Sequence, residues 1–405
     1  MGSEPLSLRS FANAAGAALL ALAPGGVPAS SAAVAAARLA ACGPVVTEPL
    51  TEAPWPLARL RPDLAWPLSR GAGVTVAVID SGVSADHASL SGKVLPGLDL
   101  VPGGGGSGQC DESGHGTLIG GIIAARDVVS AGFVFHGVAP DATIVPVRVL
   151  RDEKRSFDED LPGRIATAVR WAVDSGHAGV INLSLTTTPT PALASAIAYA
   201  LGHGVVVVAA AGNEGDASQA GQPVYPAGYD GVIAVAGVDE HDGHVSTSDA
   251  GSYVDIAAPG IRIAGPAPNG GGFVFAPDGG TSFAAAYVSG VAALIRSYDP
   301  RLSPAQVEQR LTATADHPAQ LWDREVGYGV IDPSRAVGAL LSAGGASAPA
   351  PQRVSAPVLG PAPDRTDAIV AIWVAAVGAT TVVVLLVGVP LIRRGRQRGW
   401  RAGPL

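Results

Sequence analysis

Lysine is nearly missing from this 405-residue chain: it occurs only at Lys93 and Lys154, and arginine supplies almost all the positive charge. That bias reads as GC-rich codon usage and carries no function. The net charge is −8 and no basic stripe marks the globular part, which argues against nucleic acid as a partner. No internal repeat is present. Cysteine is also scarce. Cys42 and Cys110 allow at most one internal bridge, if the chain is exported, or else stand as two buried thiols. What is abundant is apolar surface, 48% of residues, enough for a sizeable core.

The two ends carry membrane signals. Residues 368–392 read AIVAIWVAAVGATTVVVLLVGVPLI without a charge. At about 1.5 Å per residue this run spans a hydrocarbon core of roughly 30 Å. Arg393, Arg394, Arg396, Arg398 and Arg401 follow, so the tail 393–405 is expected to be cytoplasmic and everything before the span to lie outside. At the other end Arg9 precedes an apolar stretch and a small-residue zone, the pattern of a signal peptide over 1–33. A Pro/Ala/Ser-rich linker over 343–367 would tether a globular body to the membrane.

That body reads as α/β. Residues 73–80, 142–150, 179–185, 204–211 and 231–238 are apolar, β-branched runs typical of strands buried on both faces. Helical patterns alternate with them; one places Ile165, Ala168, Val169 and Ala172 on a single face. The alternation predicts a mostly parallel sheet with helices on both faces, where ligands bind beyond the carboxyl ends of the strands.

Four residues fall at that edge. Asp80 ends the first strand. His115, in Gly-His-Gly, opens a helix. Asn213 follows a buried strand. Ser282 opens the helix SFAAAYVSGVAALIRSY. Taken singly, each has a bland reading: a carboxylate or a serine caps a turn or helix, and an asparagine serves its own turn. His203 shares the Gly-His-Gly pattern but follows a helix and precedes a strand, the opposite edge, so its expected role is beside a helix C-terminus. Together, Asp80, His115, Asn213 and Ser282 form the set acyl transfer needs. They supply a nucleophile, a base, a carboxylate that orients the base, and an amide that joins the Ser282 N–H as oxyanion donor.

The motifs VAVIDSGV, GHGT, AAAGN and GTSFAAAYVSG, in this order, resemble the subtilisin-like serine peptidases over about residues 73 to 340. The resemblance implies a subtilisin-like three-layer fold over 73–342, Asp80, His115 and Ser282 as the triad, and Asn213 in the oxyanion hole. It also implies Asn182, Leu183, Ser184 and Leu185 as a backbone edge for an extended substrate peptide. Thr186 stands where family members often carry glycine. WPLARLRPDLAWPLSRGAGVTVAVIDSGV, with the secretory start, proline-rich spacer and single span, narrows the likeness to the mycosins, membrane-anchored proteases of type VII secretion systems. In them the extension, here 34–72, resembles a wrap around the catalytic domain, and a Cys42–Cys110 disulfide would staple it beside the active site on the glycine loop 103–108. The implied partners are a polypeptide substrate, the membrane and secretion-complex membrane proteins. A second reading makes the chain mainly a structural component of such a complex. All four catalytic positions are filled, which speaks against a degenerate relative. No cofactor is implied. The charged loop 151–161 interleaves Asp and Glu with Arg and Lys, as a solvated loop does, so no metal is expected.

Overall fold

The computed structural model describes residues 42–151, 158–215 and 222–340, with a few positions between 389 and 399. The expected signal peptide, linker and most of the expected span lie outside the described residues. The chain divides into two units, Met1–Arg353 and Val354–Leu405. In the second, residues 389–390, 392–395 and 397 are helical. Among the described residues no helix is long and apolar enough to cross a membrane.

The first unit is built on a seven-stranded sheet. In chain order its eleven strands are β1 (Thr75–Asp80), β2 (Leu98–Asp99), β3 (Val128–Ser130), β4 (Phe133–Phe135), β5 (Thr143–Arg148), β6 (Val180–Leu183), β7 (Val206–Ala210), β8 (Ile233–Val238), β9 (Ile256–Pro259), β10 (Ile263–Pro266) and β11 (Phe273–Ala276). The sheet order is β2-β5-β1-β6-β7-β8-β9, and every pairing is parallel. The pairs β3–β4 and β10–β11 are antiparallel ribbons outside it. All five predicted strands are present, and β6 to β9 are buried at every position, so both faces of the sheet are covered.

The helices are α1 (Trp55–Leu60), α2 (His115–Ala124), α3 (Leu161–Asp174), α4 (Pro191–Gly202), α5 (Thr281–Tyr298), α6 (Pro304–Thr314) and α7 (Pro333–Gly338). The predicted face of α3 is buried, with Ile165 and Val169 fully so, and α3 packs on α4. α2 packs on α5, which lies across β6 to β9. α5 is buried all round from Thr281 to Ile295, the behaviour of a helix with apolar and small residues on every side.

This order places the site. From β1 the chain runs to the edge strand β2, returns to β5 beside β1, then crosses to β6 on the other side of β1. The carboxyl ends of β1 and β6 therefore flank the point where the winding reverses, the usual crevice for a ligand in such sheets.

The segment before β1 runs along the surface. Val46 and Glu48 pair with the ribbon β10–β11: Val46 N donates to Asn269 O at 3.0 Å and Phe273 N to Glu48 O at 2.8 Å. Arg59 then bridges Asp242 and Asp316. Cys42 and Cys110 form a disulfide. From Cys42 onward the extension is thus stapled by the disulfide that the resemblance implied, and it is ion-paired through Arg59.

Candidate active site

Asp80 closes β1 and His115 is the first residue of α2, so strand and helix ends bring them together. His115 Nδ1 lies 2.8 Å from Asp80 Oδ1, and both side chains are buried. A carboxylate on Nδ1 fixes the proton there and leaves Nε2 as an acceptor. Asp80 Oδ1 also accepts from the Ser81 backbone at 2.7 Å. The imidazole packs against Phe283, ring centroids 5.5 Å apart, which sets it beside the first turn of α5.

Ser282 occupies that turn. Its Oγ donates to the Ser184 carbonyl at 3.1 Å. Its N–H belongs to the first turn of α5, whose amides have no acceptor within the helix and carry partial positive charge. Asn213 follows β7 and faces the same turn. Its Oδ1 accepts from Thr281 N at 2.8 Å and from Thr281 Oγ1 at 2.9 Å. A backbone N–H can only donate, so the amide oxygen is fixed toward Thr281 and Nδ2 is turned the other way.

The expected substrate edge needs a correction. Asn182 lies inside the sheet, in register with Val78 and Val208, while Leu183 closes β6 and is in register with Ala209 alone. An added strand finds free backbone only beyond Asn182. Asn182 and Ser184 instead hold α5 through a buried chain of hydrogen bonds. Ser289 Oγ donates to Asn182 Oδ1 at 2.9 Å, Asn182 Nδ2 to Ser184 Oγ at 2.9 Å, and Ser184 Oγ to the Ser282 carbonyl at 2.7 Å.

His203 sits at the opposite edge, exposed at the C-cap of α4, with Nδ1 2.8 Å from the Tyr199 carbonyl oxygen. Of the acidic loop, Asp158 pairs with Arg164, and residues 152–157 lie outside the described residues.

Sequence reasoning missed Asp111. It is completely buried, and burial pushes its carboxyl above the ordinary value against the pull of its hydrogen bonds. Only its place four residues before His115 hinted at it.

The subtilase family matches residues 71–329. This chain belongs to the subtilase family of serine peptidases. Mycosin-4 of Mycobacterium tuberculosis (strain ATCC 25618 / H37Rv) is 38% identical to this subtilase over 335 residues, covering 73% of it and 72% of the relative. The structure of the MycP3 protease from the type VII (ESX-3) secretion system superposes with a TM-score of 0.64 at 34% identity, covering 72% of this subtilase and 91% of that chain. A chain of the intact ESX-5 inner membrane complex gives 0.63 at 32% identity, covering 88% and 95%. Within the family, then, this subtilase is of the mycosin type.

Proposed function

We propose that this subtilase is a membrane-anchored, outward-facing endopeptidase that cleaves exported proteins through a Ser282 acyl-enzyme and works with a type VII secretion system. The observation that carries the reading is the convergence of the buried Asp80–His115 pair, the Asn213 amide and Ser282 on the first turn of α5.

Ser282 Oγ turns from the Ser184 carbonyl toward His115 Nε2, loses its proton there and attacks the scissile carbonyl carbon. Asp80 keeps the imidazole oriented and stabilises the imidazolium. Asn213 Nδ2 and the Ser282 N–H receive the oxyanion. His115 then gives the proton to the leaving amine, and water reverses the sequence to free the acid. The substrate backbone lies along Ser184 to Thr186. Thr186 fills space that glycine would leave open beside the cleaved residue.

The proposed organisation is a signal peptide (1–33), an extension (34–72), the peptidase domain (73–342), a linker (343–367), a membrane span (368–392) and a cytoplasmic arginine-rich tail (393–405). The uncharged run and the arginines behind it support the anchor. The likeness to a chain of the ESX-5 inner membrane complex favours a second role, stabilising such a complex.

The test is labelling of the detergent-solubilised protein with a fluorophosphonate, with the modified peptide located by mass spectrometry. Labelling at Ser282, abolished in Ser282→Ala, supports the peptidase. Folded protein that stays unlabelled rejects it. A Ser282→Ala chain that still supports secretion moves the stabilising role ahead.

A further inference from the structure

The helix that carries His115 begins without a side-chain cap, because its N-cap is Gly114. Four backbone N–H groups at such a start need acceptors from elsewhere. Gly114 N donates to Asp111 Oδ1 at 2.9 Å, His115 N to Ser113 Oγ at 3.2 Å, Gly116 N to Ser81 Oγ at 3.0 Å and Thr117 N to Asp111 Oδ2 at 2.8 Å. Asp111 also accepts from Ser81 Oγ at 2.9 Å and from Thr117 Oγ1 at 2.6 Å. Ser81 Oγ is in turn 3.1 Å from Asp80 Oδ1, and Thr117 Oγ1 accepts from Ser84 N at 3.0 Å. One buried carboxylate therefore joins the loop that follows Asp80 at the end of β1 to the first turn of α2, which carries His115. The residue before it, Cys110, is bonded to Cys42, so the loop is held covalently as well.

We propose that Asp111 is a positioning residue for catalysis: it fixes His115 against Asp80 by replacing the missing cap and splinting α2 to the loop after β1. This rests on the reading of Asp80 and His115 as the catalytic pair. The position demands a carboxylate. An obligate backbone donor faces each oxygen, Gly114 N one and Thr117 N the other. An amide satisfies one of them and points its own N–H at the other. A local cap would shift stability alone. A splint between a base and the carboxylate that orients it shifts the rate, since a displacement of about 1 Å costs on the order of 10²-fold.

The experiment compares full-length, detergent-solubilised wild type, Asp111→Asn, Ser81→Ala and His115→Ala. It follows the inactivation rate at saturating fluorophosphonate (kinact), the concentration for half that rate (KI), the melting temperature, and the low-field proton NMR signal of His115 Nδ1–H. For Asp111→Asn, kinact is expected to fall by about 10- to 100-fold with KI within about twofold. The low-field signal should move or broaden. Full kinact in folded Asp111→Asn, or a loss no larger than its unfolded fraction, overturns the proposal. If Asp111→Asn does not fold, Ser81→Ala decides. It removes the Ser81 hydroxyl from Asp111, Asp80 and Gly116 N and leaves Asp111 on Gly114 and Thr117, with Ser84 N still on the Thr117 hydroxyl. A fall in kinact with unchanged KI supports the splint, and an unchanged kinact overturns it. His115→Ala separates the two readings. If it still labels, the catalytic assignment fails; if it is inert while Asp111→Asn is fully active, only the positioning role falls.

Discussion

The tripeptide Gly-His-Gly occurs at both edges of the sheet and does different work at each. Around His203 it ends a helix. Gly204 has φ +78°, a conformation that suits glycine, and the hydrogen bonds Gly204 N to Leu201 O and Val205 N to Ala200 O close the end of α4. The histidine between is exposed, with its Nδ1 2.8 Å from the Tyr199 carbonyl oxygen and its ring beside the Tyr199 ring. Around His115 the tripeptide starts a helix. A Cβ on Gly116 would come within 2.0 Å of the Gly82 carbonyl oxygen, so its glycine serves close approach of helix to loop. The histidine there is buried on a carboxylate. A local motif specifies neither role. The polarity of the sheet does, because carboxyl ends of strands collect helix N-termini and the opposite ends collect helix C-termini.

The sharpest break of this comparison is substitution of each histidine. His115→Ala should lower kcat by about 10⁶-fold, the scale known for loss of the base in a subtilisin. Next in size is the tether, which only the active edge has. Replacing Cys42 and Cys110 by serine opens a loop of sequence separation 68 and should cost about 4 kcal/mol in chemical unfolding. Gly204→Ala should cost about 1–2 kcal/mol of stability and leave fluorophosphonate labelling intact.

A third histidine lies between the extremes. His87 is buried, its Nδ1 accepts from Ser89 N at 3.1 Å, and its ring meets Phe273 on β11, the strand that binds the extension. Burial holds its imidazole below the ordinary value. The folded protein therefore keeps it neutral while the unfolded chain takes up a proton near its ordinary pKa of about 6.5. Its contribution is fully present above that pH and is lost as pH falls below it. Melting temperature measured against pH should drop on the acid side, and His87→Asn should flatten the slope. Smallest of all, His203→Ala should change activity by less than about twofold and stability by within about 0.5 kcal/mol.

Much of this was legible in the sequence. β1, β5, β6, β7 and β8 are β-branched runs, and runs of that kind announce buried strands. β9 and β10 read IAAP and IAGP, too short and too rich in small residues to signal anything; their pairing partners decide them. Asp80, His115, Asn213 and Ser282 were legible because each stands at the end of a recognisable element. Asn182 entered the substrate edge only through the family resemblance of NLSL; its backbone is paired with β1 and β7, and its amide meets Ser289 and Ser184. Asp111 was invisible for a related reason. Gly114 and Thr117 are its neighbours in the chain, but Ser81 reaches it only in the folded chain.

The buried course of α5 also sets an order in time. Asp80 and His115 belong to the first third of the chain, while Ser282 arrives in the last, on the helix that covers β6 to β9. On the proposed assignment, a nascent chain that stops before α5 has the Asp80–His115 pair but not Ser282, and the face of the sheet that α5 covers lies open. With Ser282 as the nucleophile, the catalytic set is complete only when the core closes over β6 to β9.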